Sequence, residues 1–433
     1  MTSIMRTLAK NLMRRMSLFI LIALAALFII SRSRTLQVLQ LSLSSREKET
    51  VPIEPSNRQS QSSLKGPIHI PEWIHDYVNF HRSSLNGTTL KDDARFLLYR
   101  CDGACAGVGG RLKTMIKSLY ASICSDRVLL INSPSPFPLQ LYLEPNLLQW
   151  NATCSYSNFS HHVFRRGYPM SLPSNVHGIQ LEGLKGTDMM DMHDVWNSEI
   201  CQSFLRRKKI PTILQDEEAL YRWGFHTLFL FSKSVADRAA AVKKQAAVSV
   251  PYVGIHLRTN KGENWKDPHR QFEGLESYLR CFHFFRDIHG LKSGYVAADN
   301  KQSKSELHKM DGNLRISEDL QIFHIDKSIS GDLGSKMDAP DFLVKWYQSN
   351  RGEISNVTIA KQGMLDLFAE LLILVDAECV IMSKSGLSYA MHYIARAPRC
   401  GVFISRCTAE AVAQRNHKYV QRLNKILNQE IEK

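Results

Sequence analysis

The stretch Pro251-Tyr252-Val253-Gly254-Ile255-His256-Leu257-Arg258 reads as a buried strand that delivers a histidine and an arginine to its far end. Val253, Ile255 and Leu257 alternate with smaller or polar positions, and the segment that follows, residues 259–267, is crowded with hydrogen-bonding groups. Ligands of α/β sheets bind outside the carboxyl ends of the strands, so this loop is the expected floor of a site. A guanidinium is always charged and offers a fork of parallel donors, which suits Arg258 to a phosphate or diphosphate. The competing reading makes His256 a core histidine with satisfied hydrogen bonds and gives Arg258 a structural carboxylate as partner.

Two segments on either side favour the site reading. Residues 101–111, CDGACAGVGGR, form a glycine turn in which Gly107, Gly109, Gly110 and Arg111 lead into an amphipathic helix over residues 111–125, with Leu112, Met115, Ile116, Leu119 and Tyr120 on one face. Such a turn lets the backbone approach a ligand closely and points helix N-terminal N–H groups at an anion or a sugar hydroxyl. The spacing is not the dinucleotide G-x-G-x-x-G pattern. Residues 377–391, AECVIMSKSGLSYAM, read as a short apolar strand, the turn Ser383-Lys384-Ser385 and another helix start, a second geometry that cradles an anion.

In their order and spacing, these segments resemble the superfamily of GDP-fucose-dependent fucosyltransferases, which includes the α1,2-, α1,6- and protein O-fucosyltransferases. Gly254 to Arg258 followed by Trp265 is similar to the H-x-R loop of the protein O-fucosyltransferases, where the arginine holds the donor diphosphate. Tyr295-Val296-Ala297-Ala298-Asp299-Asn300 resembles the family's next strand, which ends in an acidic residue near guanine and ribose. Glu370 to Ala377 followed by Ser383-Lys384-Ser385 is similar to the last family motif, a helix, a strand and a serine turn beneath the phosphates.

The resemblance implies a GT-B fold, in which two Rossmann-like domains face a cleft, and a GDP-sugar donor. It implies a donor-binding set of Gly107, Gly109, Gly110, Arg111, His256, Arg258, Lys261, Asp299, Glu370, Ser383, Lys384 and Ser385. Three departures leave the branch open. Arg258-Thr259 stands where the α1,2 and α1,6 branches carry two arginines, with Lys261 the candidate for the second charge. Gly110 or Arg111 stands where the protein O-fucosyltransferases have an asparagine, and Glu370 replaces the more usual aspartate. A relative that binds glycan or nucleotide without transfer, and a transferase using another nucleotide sugar, remain the alternatives.

Sugar transfer needs a stabilised diphosphate leaving group and an acceptor hydroxyl that loses its proton; metal or cationic side chains serve the first need. No Asp-x-Asp, the manganese-holding pattern of the metal-dependent class, occurs in the sequence. The expectation is a metal-independent, inverting reaction with no cofactor, in which Arg258, Lys384, Ser385 and backbone N–H groups hold the phosphates. Glu263 and Asp267, in the loop after the catalytic candidate Arg258, are the candidate general bases, with plain surface charge as the other reading. Asp188, Asp191, His193 and Asp194 match zinc spacing poorly and read as a polar loop or acceptor rim, and His161-His162 lacks companion ligands.

With 433 residues, 44% of them apolar, the chain is long enough for two domains. Its formal charge of +14 favours anionic partners such as nucleotide diphosphates, acidic glycans or membrane headgroups. Nucleic acid is set aside because no aromatic-basic RNA motif, zinc knuckle or basic helix is present. The apolar run over residues 16–30 follows Arg6, Lys10, Arg14 and Arg15, which predicts a type II signal anchor with residues 1–15 as a cytosolic tail. The run is short for a span, and a cleaved signal peptide is the alternative. Residues 31–67 read as a flexible stem, 68–249 as an acceptor-side Rossmann-like domain and 250–433 as the GDP-sugar-binding domain.

Sequons at Asn86, Asn151, Asn158 and Asn356 agree with a lumenal body anchored in the Golgi or endoplasmic reticulum membrane, and the family resemblance implies a glycan or glycoprotein acceptor. Nine cysteines allow disulfides there and leave at least one unpaired; Cys101–Cys105, Cys154–Cys201 and Cys400–Cys407 are candidate pairs among pairings the sequence does not fix, and Cys124 and Cys379 are expected as buried thiols. Strands are expected over residues 95–100, 127–131, 252–257, 294–298, 321–325 and 379–382. Helices are expected over 216–231, 234–247, 272–285, 303–310, 361–374, 386–395 and 412–433.

Overall fold

The computed structural model describes residues 68–101, 108–134, 138–153, 161–164, 176–182, 192–210, 217–258, 273–298, 301–317, 354–395 and 400–412. The chain divides into Met1–Leu64 and Lys65–Lys433, and every described element belongs to the second unit. The expected tail, anchor and stem lie outside the described residues.

The described residues form thirteen strands and ten α-helices. In chain order the amino-terminal half has α1 (Glu72–Ser83), β1 (Leu85–Asn86), β2 (Thr89–Leu90), β3 (Phe96–Arg100), α2 (Val108–Cys124), β4 (Val128–Asn132), β5 (Leu143–Pro145), β6 (His161–Phe164) and β7 (Gly178–Glu182). These are followed by α3 (Met192–Asn197), α4 (Glu199–Arg207), α5 (Glu217–Leu228), β8 (Phe229–Phe231) and α6 (Lys233–Gln245). The carboxy-terminal half has β9 (Tyr252–Leu257), α7 (Leu275–His289), β10 (Ser293–Ala298), α8 (Lys301–Met310), β11 (Leu314–Arg315), α9 (Ile354–Val375), β12 (Cys379–Met382), α10 (Gly386–Ile394) and β13 (Cys400–Phe403).

Two parallel sheets organise these elements, in the strand orders β4-β3-β7-β6 and β11-β10-β9-β12-β13. Helices cover their faces, as parallel sheets require. The expected helix over residues 216–231 ends early, because Phe229-Leu230-Phe231 pairs antiparallel with β5 instead of continuing α5. The expected strand over residues 321–325 lies outside the described residues. His161 and His162 sit in the strand β6.

Alternation along β9 determines what each residue meets. Val253, Ile255 and Leu257 pack with Tyr278, Phe282 and Phe285 of α7. The other face looks toward α9 and α10. Tyr252 donates its hydroxyl to the Ile373 carbonyl at 2.5 Å, and a Cβ on Gly254 would lie 3.0 Å from Ala377 Cβ and 3.2 Å from Leu374 Cδ2. His256 shares this face, which aims its ring at the start of α10 rather than at α7.

The helices of the two sheets are tied together. Arg238 on α6 pairs with the fully buried Asp366 on α9 at 2.7 Å. Tyr221 on α5 stacks on Tyr393 of α10 with centroids 4.7 Å apart. Arg222 donates to the Ala395 carbonyl at 2.9 Å, and His226 Nε2 lies 3.0 Å from the Ile394 carbonyl, so α5 satisfies the carbonyls at the end of α10.

Two of the three candidate cysteine pairs do not form. Cys124 pairs with Cys201, joining α2 to α4, Cys281 on α7 pairs with Cys407, and Cys379 pairs with Cys400. Strand register explains the last pair, because Cys379 and Cys400 are direct neighbours on β12 and β13. Cys124 and Cys379 are thus not free thiols, and Cys201, Cys400 and Cys407 have partners other than those expected. Cys101 is disulfide-bonded, whereas Cys105 and Cys154 lie outside the described residues.

Candidate functional site

The second sheet runs outward from β9 through β10 to β11, then returns to place β12 and β13 on the other side of β9. Its switch point therefore lies between β9 and β12, and in open α/β sheets the crevice outside the carboxyl ends at that point is where ligands bind. His256 and Arg258 sit at the end of β9, and Ser383, Lys384 and Ser385 follow β12. In the first sheet, β3 separates β4 from β7, and the chain leaving β3 leads to α2, which carries Gly109 and Gly110.

These regions meet at a backbone-to-backbone contact. A Cβ on Gly109 would lie 2.2 Å from the Gly386 carbonyl oxygen and 2.6 Å from the Leu387 nitrogen, so the first turn of α2 abuts the first turn of α10 with no room for a side chain. A Cβ on Gly386 would meet only the Gly110 nitrogen, at 3.7 Å. The first-turn N–H groups of a helix have no partners within it, and its amino end carries roughly half a positive charge. Two such ends, brought together from segments far apart in sequence, make a locus that favours negative charge.

Beside this contact, His256 is enclosed by three serines. Its Nδ1 lies 2.5 Å from Ser388 Oγ, 3.3 Å from Ser383 Oγ and 3.4 Å from Ser385 Oγ. Ser385 is the N-cap of α10, accepting from the Ser388 N–H at 3.1 Å and donating to Ser388 Oγ at 3.2 Å. All four residues are buried. The histidine is therefore hydrogen-bonded, as the competing sequence reading held, and its partners are the very turn that the site reading assigned to it.

The other expected donor-binding residues are distributed as follows. Arg111 is buried near Tyr99, whose hydroxyl burial pushes up to about 12, against the opposing charge of Arg111. Arg258 is half-buried and Lys384 exposed. Glu370 is buried on α9, where its Oε1 accepts from Lys304 Nζ at 3.1 Å and from the Tyr295 hydroxyl at 3.3 Å. Burial raises the Glu370 carboxyl and outweighs the downward pull of Lys304. Gly107, Lys261, Glu263, Asp267 and Asp299 lie outside the described residues.

Of the sequons, Asn86 is exposed in β1, and half-buried Asn151 accepts from Gln149 Nε2 at 2.5 Å. Asn356 falls in the first turn of α9, and Asn158 lies outside the described residues. Asp194 lies in α3, Asp188 and Asp191 lie outside the described residues, and among the described residues no three His, Cys, Asp or Glu side chains gather around one point.

Sequence reasoning missed Ser388, because the position three places after the N-cap Ser385 carries neither Glu nor Gln and so shows no capping box. It also missed Lys113 on α2, whose Nζ lies 5.3, 5.4 and 5.7 Å from the ring centroids of Tyr221, Tyr389 and Tyr393. No pattern in the local sequence brings those rings together; only the packing of α10 on α2 and α5 does.

No family model matches the sequence, and no curated protein matches it. Among solved structures the chain is similar to a FUT1 mutant from Arabidopsis thaliana in complex with GDP, with a TM-score of 0.45 and 11% identity over 75% of this chain and 77% of that one. It is similar to the fucosyltransferase NodZ from Bradyrhizobium, with a TM-score of 0.41 and 12% identity over 69% of this chain and 91% of that one. It is also similar to POFUT1 in complex with GDP, with a TM-score of 0.39 and 11% identity over 72% of this chain and 99% of that one.

Proposed function

We propose that this protein is an inverting glycosyltransferase of GT-B architecture that moves fucose from GDP-fucose to a hydroxyl of a glycan or glycoprotein. The observation that carries the reading is the meeting of three segments remote in sequence, the Gly109 turn, the His256 strand end and the Ser383–Ser388 turn. Their order and spacing in the sequence supply the donor class.

In this reading the adjoining amino ends of α2 and α10 and the Arg258 guanidinium hold the diphosphate, and they stabilise the negative charge that grows on it as the sugar departs. The acceptor oxygen attacks the anomeric carbon from the side opposite the diphosphate. The new C–O bond forms as the bond to the β-phosphate oxygen breaks, and the acceptor proton passes to a carboxylate, for which Glu263 and Asp267 are the candidates. Residues 68–249 would serve as the acceptor-side half and 250–433 as the donor half. The apolar run over residues 16–30 would anchor the protein in a Golgi or endoplasmic reticulum membrane with its body in the lumen, where Asn86, Asn151, Asn158 and Asn356 are available for glycosylation.

Incubation of the protein with GDP-fucose, GDP-mannose and UDP-sugars over a panel of glycoprotein and oligosaccharide acceptors tests this directly. The expected result is fucose transfer from GDP-fucose, with an anomeric configuration opposite to that of the donor. Nucleotide binding without transfer to any acceptor would replace it with the non-transferring reading, and transfer from a UDP-sugar would reassign the donor.

A further inference from the structure

Only residues 299 and 300 separate the last residue of β10, Ala298, from the first of α8, Lys301. Ala298 is the register neighbour of Leu257, so this connection leaves the sheet beside Arg258, at the crevice outside the carboxyl ends. A connection so short goes where its two ends are held. The sheet holds the β10 end. On the other side, Lys304 in the first turn of α8 donates from Nζ to Glu370 Oε1 of α9 at 3.1 Å, and the Tyr295 hydroxyl of β10 donates to the same oxygen at 3.3 Å.

The helix that receives these bonds is itself anchored. The Tyr252 hydroxyl ties α9 to β9 through the Ile373 carbonyl, and Arg238 ties it to α6 through Asp366 at 2.7 Å. Stability alone does not account for a buried ion pair, because apolar side chains of similar volume are often as stable in its place. The pair adds direction. Bonds from β10 and α8 converge on one oxygen of α9, whereas the apolar packing of Leu307, one turn further along α8, sets no such point. Lys304 and Glu370 are 4% and 5% exposed, so neither presents its charge to a ligand.

We propose that Lys304 is a positioning residue for the donor. Through Glu370 it fixes the amino end of α8, and with it the two-residue connection at the end of β10, against the crevice. That the ligand is a nucleoside diphosphate rests on the proposed function; the holding of α8 is a property of the protein without ligand.

Hydrogen–deuterium exchange without nucleotide, together with calorimetric titration with GDP, tests this on the detergent-solubilised full chain and on Lys304→Met/Glu370→Leu. In the wild type the amides of Ser305 to His308, which are bonded within α8, should be protected at least about 100-fold over an unstructured chain. In the double variant, with an unfolding midpoint near that of the wild type, the same amides should exchange about tenfold faster and the Kd for GDP should rise about tenfold. A pair that served stability alone would leave both at their wild-type values. Unprotected α8 amides in the wild type overturn the inference even if the variant does not fold, and so does a folded double variant that binds GDP as tightly as wild type. If the α8 amides loosen in the variant but the wild type ignores GDP, the holding of α8 stands and the nucleotide reading of the crevice is what fails.

Discussion

At the carboxyl end of β9, an imidazole and three serine hydroxyls are buried with one another. On α9, Glu370 is buried against Lys304 of α8 and Tyr295 of β10. Both clusters flank the second sheet and both are enclosed, yet the first is built of neutral hydroxyls around an imidazole and the second around an ion pair. Lys304 and Glu370 are 4% and 5% exposed, so each charge depends on the other for its solvation. The difference teaches that burial of a polar side chain does not by itself mark a binding residue. Glu370 has the position that the family resemblance gives to donor binding, and the structure places its charge beside a lysine that no sequence pattern singled out.

The strongest way to break this comparison is to remove one partner of the ion pair. Glu370→Leu leaves the Lys304 ammonium buried and should cost about 3–5 kcal/mol in chemical denaturation, whereas the Lys304→Met/Glu370→Leu double variant should recover most of that loss. Equal losses in the single and double variants would remove the structural role assigned to the pair.

Next in size are the two glycines that face each other. Gly109→Ala pushes a methyl group into the Gly386 backbone and should cost about 1–3 kcal/mol, since neither helix start can move without the other. Gly386→Ala meets nothing closer than 3.7 Å and should change stability by less than about 0.5 kcal/mol. Similar unfolding midpoints for the two variants would contradict the close approach of α2 and α10.

Ser385→Ala removes the N-cap of α10 and one hydroxyl of the histidine cluster. About 1 kcal/mol of stability should be lost, read as a lower midpoint in urea. The smallest effect is one of pH. Burial raises the folded-state carboxyl of Glu370 above its usual value of 4.5, so the stability it contributes is fully present below that value and is lost as pH rises through the raised one. Glu370→Gln should flatten that part of the stability profile above pH 4.5. An unchanged slope would show that Lys304 holds the carboxylate ionised throughout.

Much of the second sheet was legible because its strands are short, apolar and punctuated by polar turns. The strand over residues 252–257 has the expected bounds, as does that over 379–382, and the start of α10 falls at Gly386 as predicted. Alternation along β9 also indicated which of its residues share a face. What was not legible depends on contacts between segments distant in the chain. β7 was missed because Gly178-Ile179-Gln180-Leu181-Glu182 carries no strong strand signal by itself and is defined by its pairing with β3 and β6. The sequence leaves the disulfide pairing open, because Cys124–Cys201 and Cys281–Cys407 close separations of 77 and 126 residues that only the fold brings together. At the site, Arg258, His256 and the serine turn could be named from local pattern, but the hydroxyl that contacts the ring most closely belongs to Ser388, one turn into a helix.

In the proposed function the Gly109, His256–Arg258 and Ser383–Ser388 segments form one site for a nucleoside diphosphate. Calorimetric titration of the detergent-solubilised full chain with GDP and with UDP, on the wild type and on Arg258→Ala, tests it most directly. Saturable binding of GDP in preference to UDP is the expected result. Arg258→Ala should weaken GDP binding by about 10- to 100-fold, the loss of one charge-assisted contact worth roughly 1.5–3 kcal/mol, at an unchanged unfolding midpoint. A folded wild-type protein that gives no heat with GDP, or an Arg258→Ala variant that binds it as tightly as wild type, would contradict the claim.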